Sequence, residues 1–203
     1  MKRSILLAAA LAAAPFAASA AEGVSYTYVE GGYAKIHYDE RDLDNPEGDG
    51  GYIRGSVAIS PSFNLFGSYA KVSEDYRLLD EYKLDVDLSR AEFGVGYRQE
   101  MGERLDFIAE LAYQRLELEA RLPGFGSGSD DAKGGRLAVG LRGGNARAEG
   151  WVKLGYLDGG DFEGDFVGTL GGQFKFNRTW GLVGEVEVVE DVTQYFAGVR
   201  ASF

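Results

Sequence analysis

The stretch LDFIAELAYQ, Leu105 to Gln114, decides the fold. Counted in steps of two, Leu105, Phe107, Ala109, Leu111 and Tyr113 make one face, and Asp106, Ile108, Glu110, Ala112 and Gln114 the other. A period of two is that of a β-strand, and a slip by one residue would exchange the faces. The same alternation recurs along the chain. Phe63, Leu65, Gly67 and Tyr69 oppose Asn64, Phe66, Ser68 and Ala70, while Ala91, Phe93, Val95 and Tyr97 oppose Arg90, Glu92, Gly94, Gly96 and Arg98. Leu137, Val139 and Leu141 oppose Arg136, Gly140 and Arg142, and Leu182, Val186 and Val188 oppose Glu185 and Glu187. The closing TQYFAGVRASF, Thr193 to Phe203, sets Tyr195, Ala197, Val199, Ala201 and Phe203 against Gln194, Arg200 and Ser202.

Extended over the chain, this reading places strands at 24–38, 52–60, 63–73, 82–99, 105–120, 135–142, 146–157, 165–176, 180–189 and 193–203. Ten is an even number, as a closed antiparallel barrel with both termini on one side requires; eight is the alternative if two short segments merge into loops. The connections alternate in length. Those at 61–62, 100–104, 143–145 and 177–179 are turn-like, whereas 39–51, 74–81, 121–134 and 158–164 are longer and rich in Gly and acids. One short-turn side and one long-loop side is the asymmetry of outer-membrane barrels, with turns toward the periplasm and loops outward. The Gly-rich GFGSGSDDAKGG, Gly124 to Gly135, precedes no helix and reads as a flexible outer loop rather than a phosphate cradle.

The first twenty residues stand apart. Lys2 and Arg3, an apolar run from Ile5 to Ala18, and Ala18-Ser19-Ala20 form a secretory signal with cleavage near Ala20, leaving 21–203 as the barrel domain. Removing Lys2 and Arg3 takes the formal charge from −11 to −13, which argues against nucleic-acid binding. With no cysteine among 203 residues, packing and strand pairing must hold the fold without disulfides.

Alternation alone leaves open whether the apolar face is the lumen of a soluble barrel or the lipid face of a membrane one. Three features favour lipid. Phe63, Tyr69, Tyr97, Phe107, Tyr113, Tyr156, Trp180, Tyr195 and Phe203 mark the ends of the apolar faces as aromatic girdles would. The polar faces carry both signs: Arg54, Arg90, Arg98, Arg136, Arg142, Arg147, Lys153, Lys175 and Arg200 meet Glu30, Glu92, Asp106, Glu110, Glu149, Glu185 and Glu187. An enclosed lumen needs such balance, because an unpaired buried charge is costly. The surplus acids lie at the long-loop end, where outer-leaflet lipid and lipopolysaccharide are the expected partners. Weak divalent-cation binding at 39–51 and 158–165 competes there with plain hydration, since the fixed order of a calcium loop is missing.

His37 is the sole histidine, so a Ser-His-Asp enzyme would have to use it; Ser25 shares its strand face but lies near the opposite membrane edge. No catalytic residue, metal or cofactor is assigned, and a monomer is expected. In strands four and five, Val86, Leu88, Leu116 and Leu118 fall on the parity that is polar lower down. They pack inward beyond the bilayer against neighbouring strands or a partner, or else plug the lumen mouth. A narrow porin-like channel is the second functional reading, opposed by the Arg and Glu side chains that would fill a small lumen.

The segments 21–36 and 51–72, sharpest in YTYVEGGY (26–33) and SPSFNLFG (60–67), together with the closing YFAGVRASF (195–203), resemble a family of small outer-membrane barrels. These carry labels such as diffusible-signal-factor-regulated outer-membrane protein and sulfation-dependent quorum factor. The resemblance implies a barrel of the outer membrane and its vesicles, linked to biofilm formation, motility or virulence, and brings no catalytic motif. The ending also resembles the C-terminal signal read by the barrel-assembly machinery, which assigns that role to Tyr195, Val199, Ala201 and Phe203.

Overall fold

The structure, a computed structural model, describes residues 23–38, 47–78, 82–122 and 126–203. Ten strands run in chain order: β1 (Tyr28–Tyr38), β2 (Glu47–Ala58), β3 (Phe63–Leu78), β4 (Tyr82–Gly102), β5 (Leu105–Leu122), β6 (Gly126–Gly144), β7 (Ala148–Gly159), β8 (Phe162–Lys175), β9 (Trp180–Val189) and β10 (Val192–Ser202). Each pairs antiparallel with its sequence neighbours, and β1 pairs with β10 from Tyr28↔Ser202 to Tyr38↔Val192, so the sheet closes without an edge. Closure satisfies backbone groups that would otherwise stand unpaired in lipid.

The short turns are built by side chains that stand in for backbone partners. Asn145 Oδ1 accepts from the amides of Arg147 (2.8 Å) and Ala148 (3.0 Å), and Asn177 Oδ1 accepts from Thr179 (2.9 Å) and Trp180 (2.8 Å). Ser60 Oγ does the same for Phe63 at 3.0 Å. Such Asx and Ser/Thr motifs fix a turn without requiring length.

Several boundaries differ from the sequence reading, and stretches read as long loops are largely strand: β3 continues to Leu78 opposite β4, and β7 and β8 leave only Gly160 and Asp161 between them. The stretch 126–135 is strand, not loop: β6 pairs rung for rung with β5 out to Leu122↔Gly126. Its Gly and Ser residues have little strand propensity, but long β5 offers a row of backbone partners, and pairing overrides propensity. The second strand begins at Glu47 rather than Tyr52 for the same reason, opposite the upper half of β1. In contrast, residues 23–27 precede the first strand. Residues 1–22, 39–46, 79–81 and 123–125, with the signal segment and most of the first acidic loop expected there, lie outside the described residues.

The apolar parity faces outward. Phe93 (61% exposed), Leu111 (62%), Leu154 (71%) and Leu170 (65%) would be inexplicable on a water-soluble surface, whereas the buried set includes Glu30, Asp106 and Arg200. The molecule is therefore inverted relative to a lipocalin-like barrel.

Candidate functional site

Ionisable groups of nine strands and of both signs converge in the interior, where they are layered. At the turn end, residues 23–27 cross the barrel mouth as a strap. Lys175 Nζ donates to the Gly23 carbonyl, Arg142 Nη2 donates to that of Ser25 (2.9 Å), and the Tyr26 hydroxyl donates to Asp106 Oδ2 (2.9 Å). Val24 and Tyr26 bury themselves with Ala58 and Ile108, while the Arg98 guanidinium lies 4.2 Å from the Tyr26 ring centre and donates to the Pro61 carbonyl at 2.6 Å. Gly23 takes φ +87°, and a Cβ there would stand 2.4 Å from the Asn145 backbone, so the strap needs glycine where it meets the β6–β7 turn.

Above the strap, Arg200 binds Glu30 at 2.5 Å and Glu149 at 3.1 Å while sitting 4.0 Å from the Tyr28 ring centre. Glu149 also receives Arg142 at 2.6 Å and Lys175 at 3.0 Å, so one carboxylate on β7 ties β6, β8 and β10. Tyr52 donates to Glu30 at 2.7 Å. Glu185 accepts from Arg54 at 2.9 Å and from the Trp151 indole at 2.6 Å. That indole lies flat across Gly171, its cross-strand partner, where a Cβ would come within 2.3 Å of the ring.

A third tier joins Arg90 to Glu187 (2.5 Å) and Glu92 (3.3 Å), Arg136 to Glu92 (2.6 Å), and Lys153 to Glu110 (2.9 Å). Arg136 also reaches Glu187 at 3.6 Å and Glu110 at 3.7 Å. Over this tier Ala34, Ile36, Val72 and Phe196 cluster with Tyr52, and Leu88, Ala70 and Val192 pack against them. Leu88 thus joins an apolar plug on the β10-to-β4 side of the outer mouth, whereas Leu118, on the same parity, is exposed. A cavity of about 80 Å³ remains between the tiers, room for a few waters.

Of the sixteen charged residues read as lumenal, Glu30, Arg54, Arg90, Glu92, Arg98, Asp106, Glu110, Arg136, Arg142, Glu149, Lys153, Lys175, Glu185, Glu187 and Arg200 point inward. Arg147 does not: β7 starts one residue later, so Arg147 is exposed in the β6–β7 turn. The nine aromatics read as girdle residues all lie on the outward parity, with Tyr97 and Phe107 half-buried. Outward Tyr33, Phe93, Phe166, Phe174 and Phe176 extend the set, and inward Tyr26, Tyr28, Tyr52, Trp151 and Phe196 complete the lumen. Their signal was parity: Trp151 alternates in step with Glu149 and Lys153.

His37 faces outward at the loop end with Nδ1 3.3 Å from Glu47, and Ser25 is at the turn end, donating to the Phe203 carbonyl at 2.8 Å. The structure does not bring them together. Around 158–165, Asp158 accepts from the Gly159 amide and Asp161 from the Lys133 amide. Among the described residues no group of three or more His, Asp or Glu is arranged to hold a metal.

A closed ten-stranded barrel with a paired-charge interior and an apolar, aromatic-edged exterior is a small transmembrane barrel. The family model of the outer membrane protein beta-barrel domain matches residues 4–195, and the chain belongs to that family. Its place is the outer membrane. No curated protein matches the chain. Among solved structures it is similar to Ail, the attachment invasion locus protein of Yersinia pestis, at 14% identity over 88% of this chain and 99% of that one, TM-score 0.49. OprG from Pseudomonas aeruginosa is 13% identical over 90% and 97%, TM-score 0.49. The KdgM porin, solved in complex with disordered oligogalacturonate, is 15% identical over 87% and 99%, TM-score 0.45.

Proposed function

We propose that the protein is a non-enzymatic component of the cell envelope that acts through its outer end, by contact with lipid, surfaces or neighbouring cells. The observation that carries this reading is the lumen. Strap, ion-pair tiers and apolar plug occupy it along its length, which speaks against solute passage. The long strands β3 to β6 meanwhile carry the barrel wall beyond its shorter staves. Sec-dependent export with cleavage near Ala20, presence in outer-membrane vesicles, and a role in biofilm formation, motility or virulence belong to the same proposal. They rest on the sequence features and on the resemblance to the signal-factor-regulated barrels.

Planar-bilayer recording of the refolded protein tests the sealed lumen. Only background conductance is expected, and a steady, reproducible channel would replace this reading with the narrow pore.

A further inference from the structure

Above the lipid band the staves stop at different heights. β6 pairs with β5 out to Leu122↔Gly126, but its pairing with β7 begins only at Gly135↔Asp158. Lys133 makes the last contact on that side: its carbonyl accepts from the Asp161 amide at 3.0 Å, and its amide donates to Asp161 Oδ2 at 3.0 Å. Residues 126–132 therefore form a free strand edge, roughly 20 Å long. Backbone groups on the parity of Lys133, those of Ser127, Ser129 and Asp131, point off this edge rather than toward β5. Such a row of donors and acceptors is the template on which another strand pairs. The Asp131 amide already uses a local stand-in, donating to Asp130 Oδ1 at 3.0 Å. Tyr113, opposite Gly135, marks the outer girdle, so the edge stands in water, where unpaired backbone is tolerated.

The lumen-side face next to this edge is apolar and incomplete. Val72, Leu88 and Leu118 lie side by side in one rung across β3, β4 and β5, and the rung ends on β6 at Asp130. Leu118 is 45% exposed, because the β6 residues beside it, Gly128, Asp130 and Ala132, offer no apolar group larger than a methyl. A Cβ added at Gly128 would meet nothing within 4 Å, so that space is open. Asp130 is exposed and pairs with no cation among the described residues. A strand laid on the edge would complete the face with bulky apolar side chains opposite Gly128 and Ala132 and a cation opposite Asp130. A second copy of the same edge would set Asp130 and Asp131 against their own kind, which like charge disfavours.

We propose that the β6 edge, 126–132, is a strand-addition site for an extended segment of a protein outside the cell, paired antiparallel, whose lumen-side row reads apolar, basic, apolar. Main-chain bonds to Ser127, Ser129 and Asp131 supply its affinity, and the side-chain row supplies its selectivity. This site deepens the envelope reading above and rests on it. Conductance reads the lumen and does not depend on these residues, so the two readings fail separately.

The experiment uses refolded barrel in detergent micelles and a dye-tagged heptapeptide, Thr-Leu-Thr-Lys-Thr-Leu-Thr. One control is the same peptide N-methylated at the threonines, whose amides would face β6, and the other carries Glu in place of Lys. Wild type should bind the parent peptide roughly tenfold or more tightly than either control. Ser129→Pro removes an edge amide that makes no bond to β5, so it should reduce binding to the control level with the heat-induced gel shift of the barrel unchanged. Asp130→Lys should reverse the preference toward the Glu peptide. Absence of peptide binding, equal binding of the N-methylated peptide, an unimpaired Ser129→Pro variant or an unreversed preference would each overturn the proposal. So would a wild-type dimer that Ser129→Pro splits, which would assign the edge to a second copy.

Discussion

Glu149 is the residue on which the lumen turns. Its side chain is fully buried and is contacted by three cations from three other strands, Arg142, Lys175 and Arg200. A buried ion pair is worth modest net energy against an apolar replacement, but removing one partner strands the rest. Glu149→Ala should therefore destabilise the barrel by about 3–5 kcal/mol, measured as a lower urea midpoint in micelles. A drop under about 1 kcal/mol would mean that solvent reaches these cations. Fifteen of the charged residues read as lumenal were legible because parity in a strand is strict, so one correctly phased residue phases its whole strand. Arg147 was misplaced because parity has no meaning once the strand has ended. Tyr26 could not be assigned either, since its contact with Asp106 spans 80 residues and depends on where the strap crosses.

The strap is an element without regular structure, held by backbone carbonyls accepting from Lys175 and Arg142 and by one tyrosine. Tyr26→Ala, which removes a buried ring and leaves Asp106 without its hydroxyl donor, should cost about 3–5 kcal/mol. Tyr26→Phe keeps the ring and should cost about 1–3 kcal/mol. Unfolding midpoints of both variants check the order, and equal losses would remove the hydroxyl from the account. At the other mouth, Leu88 packs on the Ile36, Val72 and Phe196 cluster, and Leu116 lines the small space beside it. Leu88→Asp with Leu116→Asp should lower the yield of folded barrel severalfold, because two carboxylates would enter an apolar cluster and Arg90, opposite Leu116, is already paired with Glu187 and Glu92. Unchanged folding would show that the plug is dispensable. The start of β6 at Gly126 was hidden for a related reason: Gly, Ser and Asp spell a loop locally, and only the neighbouring strand makes them a stave.

For the whole molecule, closure joins the two ends of the chain, with the Phe203 amide donating to the Thr27 carbonyl at 2.9 Å and Arg200 to Glu30 across the β10–β1 seam. Folded barrel should migrate anomalously on gels until boiled. Deleting Phe203 should reduce the heat-shifting outer-membrane fraction in cells while leaving refolding in micelles nearly intact; normal insertion would remove the assembly-signal role. Sequence by itself determined the strand count, the two faces of each strand, and the residues available to fill the lumen. All of these follow from a period of two and local turn chemistry. Tertiary structure alone decided which charges meet across the lumen, and that a strap and an apolar plug stand at its two mouths. Those facts depend on the stagger between strands far apart in the chain, and stagger is fixed only when the tenth strand closes on the first.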